Sequence, residues 1–202
     1  AVKWLFSWYD PAKAREAAES LVAEGCDALA FTEDSPAVVQ VGQEHTKQGK
    51  PVYTFSHYSP MQKFGEDSVV SGQLVDWRGV YEELLTRLYL GIWESKDMWW
   101  LLKEGGTVLG GAVASQPINP RFIPDLQKAE VTDPILGKLS VYDLVQKRLI
   151  QMSEPTVLFD PFTGSIKDQS GKERIKAGER AGHDLLWTMD WFVDNVEATI
   201  PK

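Results

Sequence analysis

The sequence predicts an α/β fold, a parallel sheet flanked by helices, and two observations carry the prediction. The first sixty residues run one pattern twice. An apolar run ends in Ser7-Trp8-Tyr9-Asp10-Pro11 and a helical stretch follows; then Ala28-Leu29-Ala30-Phe31 ends in Thr32-Glu33-Asp34-Ser35-Pro36 and a second helical stretch follows. Short apolar runs alternating with helical periodicity are the signature of βαβ units. The second observation is composition. A chain of 202 residues, 43% apolar and 25% charged, is one large domain or one and a half small ones, able to bury a core without disulfide staples.

The elements follow in order. Val2-Lys3-Trp4-Leu5-Phe6 reads as a strand. Residues 11–24 read as a helix because Ala14, Ala17, Ala18, Leu21 and Val22 recur at helical spacing. Asp10 is a natural N-cap, Pro11 suits the first helical position and Gly25 the stop. A second strand spans 27–31. A second helix spans 36–48, with Ser35 as N-cap and Gly49 as stop, and a third strand spans 51–55. Two right-handed crossovers in so short a stretch imply a parallel sheet covered on both faces. A fourth strand is expected over 68–74, and a strong helix over 80–91 with Leu84, Leu85, Leu88 and Tyr89 on its apolar face.

Further on, two weak strands are expected near 99–102 and 107–109, in an apolar segment with a Gly-rich end at Gly111. A Pro-rich loop should span 117–124, and helices 125–128 and 141–153. Segments 155–166 and 173–176 read as a hairpin turning at Asp168-Gln169-Ser170-Gly171, where Gly tolerates positive φ. A Trp-bearing helix over 184–196 ends the pattern.

Composition also excludes function classes. A net charge of −8 argues against nucleic acid or anionic membrane as a partner, both being polyanions. No run approaches the ~20 apolar residues of a bilayer span. No signal peptide is visible. A chain that opens directly in a strand implies a processed or truncated start. The single Cys26 cannot form an internal disulfide and is expected to pack as a small hydrophobe. The three His residues, His45, His57 and His183, fit no metal-ligand spacing, and His45 is expected at a helix surface. No Gly-x-Ser-x-Gly, His-Glu-x-x-His or phosphate-loop motif occurs. No catalytic residue, metal site or cofactor is therefore predicted.

What remains is a set of strand-end groups: Trp8 after the first strand, Asp34 after the second, His57-Tyr58-Ser59 after the third, Asp76-Trp77 after the fourth. In a parallel sheet these ends share one edge, beyond which ligands bind. Indoles, a phenol, carboxylates and hydroxyls suit a flat heteroaromatic ligand, stacked and hydrogen-bonded at its rim. Eight Trp residues are many for this length, and about two are expected to touch ligand, the rest to pack. Asp34 divides between capping the second helix and meeting a ligand.

The chain resembles the basic membrane protein family of substrate-binding lipoproteins of ABC importers, some of which bind purine bases or nucleosides. The resemblance rests on Ser7-Trp8-Tyr9-Asp10-Pro11-Ala12-Lys13, Asp34-Ser35-Pro36-Ala37-Val38-Val39-Gln40, the stretch Pro161 to Gly171, and Met189-Asp190-Trp191-Phe192-Val193. It implies a type I periplasmic-binding-protein-like fold of two lobes around a cleft, of which this chain holds largely the C-terminal lobe with a hairpin and helix extension. Residues 1–67 would form the first part of that lobe. Residues 68–95 would be a strand and helix belonging to the other lobe, and 96–202 the return plus extension. The partners implied are a purine base or nucleoside, ABC permease subunits and the missing N-terminal lobe, on the periplasmic or extracellular face of the membrane with a lipid anchor in the full-length protein.

The resemblance places Trp8 as the stacking platform. Asp34, Tyr58, Asp76 and Trp77 complete the ligand-binding set, Tyr58 standing where the family usually carries an Asp. That departure leaves a free base, or another flat ligand, as open as a nucleoside. The reading is a non-enzymatic receptor. A nucleoside hydrolase and a ligand-sensing regulatory domain are the alternatives on the same fold.

Overall fold

The computed structural model describes residues 1–110, 116–154, 156 and 159–201. Gly111, Pro155, Val157 and Leu158, which fall in predicted segments, lie outside the described residues. The chain divides into two compact units, Leu5–Val157, and Ala1–Trp4 together with Leu158–Lys202.

The larger unit is built on a four-stranded sheet. Helix α1 (Pro11–Ala23) leads to strand β1 (Ala28–Ala30), helix α2 (Ala37–Lys47) and strand β2 (Tyr53–Tyr58). A 3-10 turn at Gln62–Phe64 leads to strand β3 (Val69–Val75), followed by helix α3 (Arg78–Tyr89) and strand β4 (Thr107–Leu109). The order is β1-β2-β3-β4, with β1, β2 and β3 parallel and β4 antiparallel to β3. Helix α4 (Ile123–Lys128), a two-stranded ribbon of β5 (Glu130–Asp133) and β6 (Gly137–Ser140), and helix α5 (Val141–Ser153) complete this unit.

The local chemistry explains most boundaries. Asp10 caps α1 by accepting the Lys13 N–H at 3.1 Å, with Pro11 at the first position. Gly25 follows the helix at φ 96, a conformation that favours glycine. Ser140 caps α5 by accepting the Asp143 N–H at 3.0 Å. The core lies between α1, α2 and the sheet: Ala14 and Ala18 of α1, Leu29 of β1, Ala37, Val38 and Val41 of α2, and Val52, with Cys26 packed against them as expected. Val39, Met61 and Val69 form a second cluster. Gly42 is the close approach of helix to sheet. A Cβ there would sit 2.4 Å from Ser68 Oγ and 2.5 Å from Thr54 Cγ2.

The expected first strand does not form. Phe6 stands at φ 56, outside the extended region a ladder needs. Trp4 belongs to the other unit, its Nε1–H donating to Thr199 O at 3.2 Å and its ring tilted 6.2 Å from that of Phe192. β1 therefore pairs directly with β2, Ala28 with Tyr53 and Ala30 with Phe55. Coverage is also less than expected. Ala28, Ala30, Tyr53 and Phe55 are exposed on alternate positions, because α1 and α2 pack into one cluster with each other.

The segment Val69–Val75, which the resemblance gives to another lobe, is hydrogen-bonded along β2 in this same sheet. No strand forms at 99–102; Trp100 instead packs on Gly79 and Gly106. The ribbon β5–β6 was not foreseen. Its turn is held by Asp133 Oδ1, which accepts the N–H groups of Ile135 and Leu136 at 2.9 and 2.8 Å.

The smaller unit holds strands β7 (Ile166–Lys167) and β8 (Glu173–Ile175) and helix α6 (His183–Trp187), shorter than the 184–196 expected. Its hairpin turns at Asp168-Gln169-Ser170-Gly171 as the sequence predicts, with Gly171 at φ 80. Asp168, buried, accepts from Ser170 Oγ at 2.6 Å and from the N–H groups of Ser170 and Lys172 through one oxygen, and from Arg174 Nε at 2.6 Å through the other. The Arg174 guanidinium stands 5.5 Å over the buried Trp191 ring.

Candidate functional site

Parallel pairing sends the carboxyl ends of β1, β2 and β3 to one edge, the edge at which open α/β sheets hold ligands. Three of the four predicted strand-end clusters leave these strands directly. The fourth, around Trp8, is brought there by two hydrogen bonds although its strand is missing. The Asp34 N–H donates to Trp8 O at 2.9 Å, and the Asp10 N–H donates to Glu33 Oε1 at 3.1 Å. Trp8 and Asp34 are thus joined through the backbone.

Trp8 is 74% exposed, a large apolar ring at a sheet edge with its loop fixed. The Asp34 side chain is exposed as well. The cap position of α2 is Pro36, not the expected Ser35, and makes no side-chain cap bond; Ser35 Oγ, one residue earlier, accepts the Ala37 N–H at 3.3 Å, and Asp34 takes no part. Asp34 is thereby left facing solvent.

Tyr58 closes β2 at φ 60, a left-handed conformation costly for a residue with a bulky side chain. It is half exposed and stacks on His57, centroids 3.9 Å apart and planes 21° from parallel. His57 beneath it is buried, and its Nε2 finds no hydrogen-bond partner among the described residues.

Asp76 follows β3 and is spoken for locally. Arg78 donates Nε to Oδ1 at 3.1 Å and Nη2 to Oδ2 at 2.6 Å, and its backbone N–H adds a third bond at 3.0 Å. The Arg78 side chain first, then that backbone N–H, lowers the Asp76 carboxyl to about 2. Trp77 is 55% exposed, its ring tilted 6.2 Å from that of Tyr81 one turn along α3.

The structure therefore places all five predicted residues at strand ends or their adjoining loops on one edge. It joins Trp8 to Asp34, and engages Tyr58, Asp76 and Trp77 with neighbours in their own segments. Sequence reasoning missed Glu33, which is 5% exposed, because a Glu between Thr and Asp in a loop reads as solvated. It also missed the Arg78 clamp on Asp76, whose signal was the two-residue spacing. His45, expected on the surface, is partly buried, with Nε2 2.7 Å from Glu19 Oε2 on the neighbouring helix. Among the described residues no group of three or more His, Cys, Asp or Glu is arranged to hold a metal ion. No described helix is long and apolar enough to cross a membrane.

The model of a family described as ABC transporter substrate-binding protein, PnrA-like, matches residues 1–131, the stretch that contains the whole four-stranded sheet and every residue of the edge.

The chain belongs to this family.

Its members are substrate-binding receptors rather than a class of enzymes. A purine-binding protein of Brucella abortus is 28% identical over 201 residues, covering all of this chain and 49% of that protein. A protein of Haloferax volcanii, provisionally named an ABC transporter glucose-binding protein, is 35% identical over 108 residues, covering 54% of this chain and 26% of that one. The chain thus spans about half the length of the Brucella relative, and its matched part covers about a quarter of the other. A solved transcriptional activator of the comK gene from Bacillus halodurans matches with a TM-score of 0.53 at 16% identity, over 77% of this chain and 46% of that one. At that identity the likeness shows the fold alone.

Proposed function

We propose that this chain forms one wall of a ligand cleft in the solute receptor of an ABC importer, and that the ligand is a purine base or nucleoside. The observation that carries the reading is Trp8: an indole three-quarters exposed, on a loop hydrogen-bonded to the loop that follows β1. A flat ring so placed offers stacking to a flat ligand at the edge where such sheets bind one. Family membership supports a solute-binding role, and the name of the Brucella relative supports a purine. Trp77 offers a second indole, with Asp34 and Tyr58 as hydrogen-bonding groups for the ligand's rim. Asp76 contributes mainly by fixing Arg78.

The opposite wall is the N-terminal lobe that family members carry. Closure of the two lobes buries the ligand, and a permease reads the closed state. The location that follows is the periplasmic or extracellular face of the membrane, with a lipid anchor.

The test is calorimetric titration of the two-lobed protein with adenine, adenosine, inosine, guanosine and glucose, with each nucleoside recovered afterwards. Micromolar or tighter binding of a purine, returned intact, is expected. Binding of glucose alone would overturn the ligand, and cleavage of the glycosidic bond would overturn the receptor.

A further inference from the structure

Glu33 is a buried acid whose described hydrogen bonds reach the loops that enter both α1 and α2. One oxygen accepts the Asp10 N–H at 3.1 Å, at the entry of α1; the other accepts the Ser35 N–H at 3.0 Å and the Ser35 Oγ–H at 2.7 Å, at the entry of α2. Both helices begin at this edge, where backbone N–H groups lack helical partners and negative charge is favoured. A carboxylate 5% exposed is costly to bury unless its oxygens are matched by donors, and here the matching donors come from two different loops. Between them runs the Asp34 N–H to Trp8 O bond at 2.9 Å, to which Glu33 contributes no atom. The first strand is not in the sheet, so these links tie the Trp8 loop to β1.

We propose that Glu33 is a positioning residue for the ligand edge: its carboxylate clamps the Trp8 loop to the Asp34 loop and so sets where the indole stands. The proposal deepens the purine reading, and its first test does not depend on that reading. Amide hydrogen exchange in the 202-residue chain is compared between wild type, Glu33→Gln and Ser35→Ala. A role confined to Glu33's own contacts would speed exchange at Asp10 and Ser35 and leave Asp34 alone. A clamp predicts that the Asp34 amide also exchanges roughly 10-fold faster in Glu33→Gln, the scale of one net hydrogen bond, with Val39 and Val41 unchanged. Ser35→Ala, which removes one of the three donors, should give a smaller rise at Asp34 in a chain that stays folded. An Asp34 amide as protected as in wild type in both variants overturns the clamp.

The second readout is adenine affinity of the two-lobed protein in a double-mutant cycle with Trp8→Ala. If Glu33 acts through the indole, Glu33→Gln weakens binding about 10-fold when Trp8 is present and has no further effect when it is absent. Equal losses in both backgrounds would contradict positioning of Trp8. No purine binding by wild type, with the Asp34 amide nonetheless loosened, would overturn the ligand and leave the clamp standing.

Discussion

Trp8→Ala tests folding and binding separately, because the indole face that folding leaves open is the one the proposed ligand would use. With the residue 74% exposed, folding removes from water about a quarter of a side chain that offers up to ~250 Å². That is about 65 Å², or at ~25 cal/mol per Å² an upper figure of ~1.6 kcal/mol. For a chain of this size the melting temperature should fall by no more than about 6 °C. A ligand stacked on the indole would use the face that folding leaves open, and single-base stacking is worth about 1–3 kcal/mol by alanine substitution. The dissociation constant for adenine should then rise about 5- to 150-fold. Trp8→Phe should lose less, since it keeps a stacking ring. The assays are thermal melting and calorimetry on the same preparations of the two-lobed protein. Unchanged affinity in Trp8→Ala would refute the platform. A melting temperature lowered by 15 °C or more would refute the premise that Trp8 contributes little to folding.

Three further predictions address the framework. Gly42→Ala gains about 1 kcal/mol of helix propensity, but its Cβ would collide with Ser68 Oγ and Thr54 Cγ2, both fully buried; the overpacking cost of about 1–3 kcal/mol should win and lower the urea midpoint, which a midpoint at or above wild type would contradict. Asn119, 1% exposed, donates Nδ2–H to Val69 O at 2.8 Å and accepts the Arg121 N–H at 3.1 Å. Asn119→Ala should cost about 1–3 kcal/mol through the groups left unpaired, read in the same urea titration, and an unmoved midpoint would contradict it.

The third concerns pH. Asp168 is held well below the usual carboxylate range, first by the Ser170 hydroxyl and then by Arg174. A carboxyl lowered in the folded state stabilises above its unfolded value of ~3.9, and that contribution is lost as the pH falls below it toward the folded value. Fluorescence of Trp191, beneath Arg174, should report a hairpin that is steady from neutrality to about pH 4 and weakens below. Asp168→Asn should weaken the hairpin at neutral pH and flatten that acid limb, and an acid limb identical to wild type would contradict the assignment.

Elements whose reasons are local were legible in the sequence. Asp10, Pro11 and Gly25 mark the ends of α1, and the Asp168–Gly171 turn marks the hairpin, because capping and turn chemistry act within four residues. The ribbon β5–β6 was legible in principle. Asp133 and Gly137, at φ 75, are turn residues, but two four-residue strands between helices give too short an alternation to register. The absent first strand was not legible. Its apolar pattern is that of a strand, and what keeps it from the sheet is Phe6 at positive φ and Trp4 held by the C-terminal unit, facts of tertiary context.

The positions of the edge residues were legible in the sequence, and their local partners were not. The repeat itself placed Asp34 beyond a strand end and Trp8 at the matching point of the first unit, although the strand expected before Trp8 is absent. That Glu33 rather than Asp34 is the buried acid was not legible, since neighbouring acids in a loop differ in burial only through long-range partners such as the Asp10 N–H, 23 residues away. Asp76 shows the same limit at short range: its Arg78 partner was in view, and the spacing admits either a clamp or a free carboxylate.

If Trp8 is the floor of a purine site, a crystal structure of the two-lobed protein grown with adenine should show the ring lying on it. Density is expected for a planar ring lying parallel to the Trp8 indole at about 3.5 Å, the stacking separation of carbon surfaces, with its rim toward Asp34 and Tyr58. Adenine density elsewhere in the molecule, with the Trp8 face bare, would contradict it.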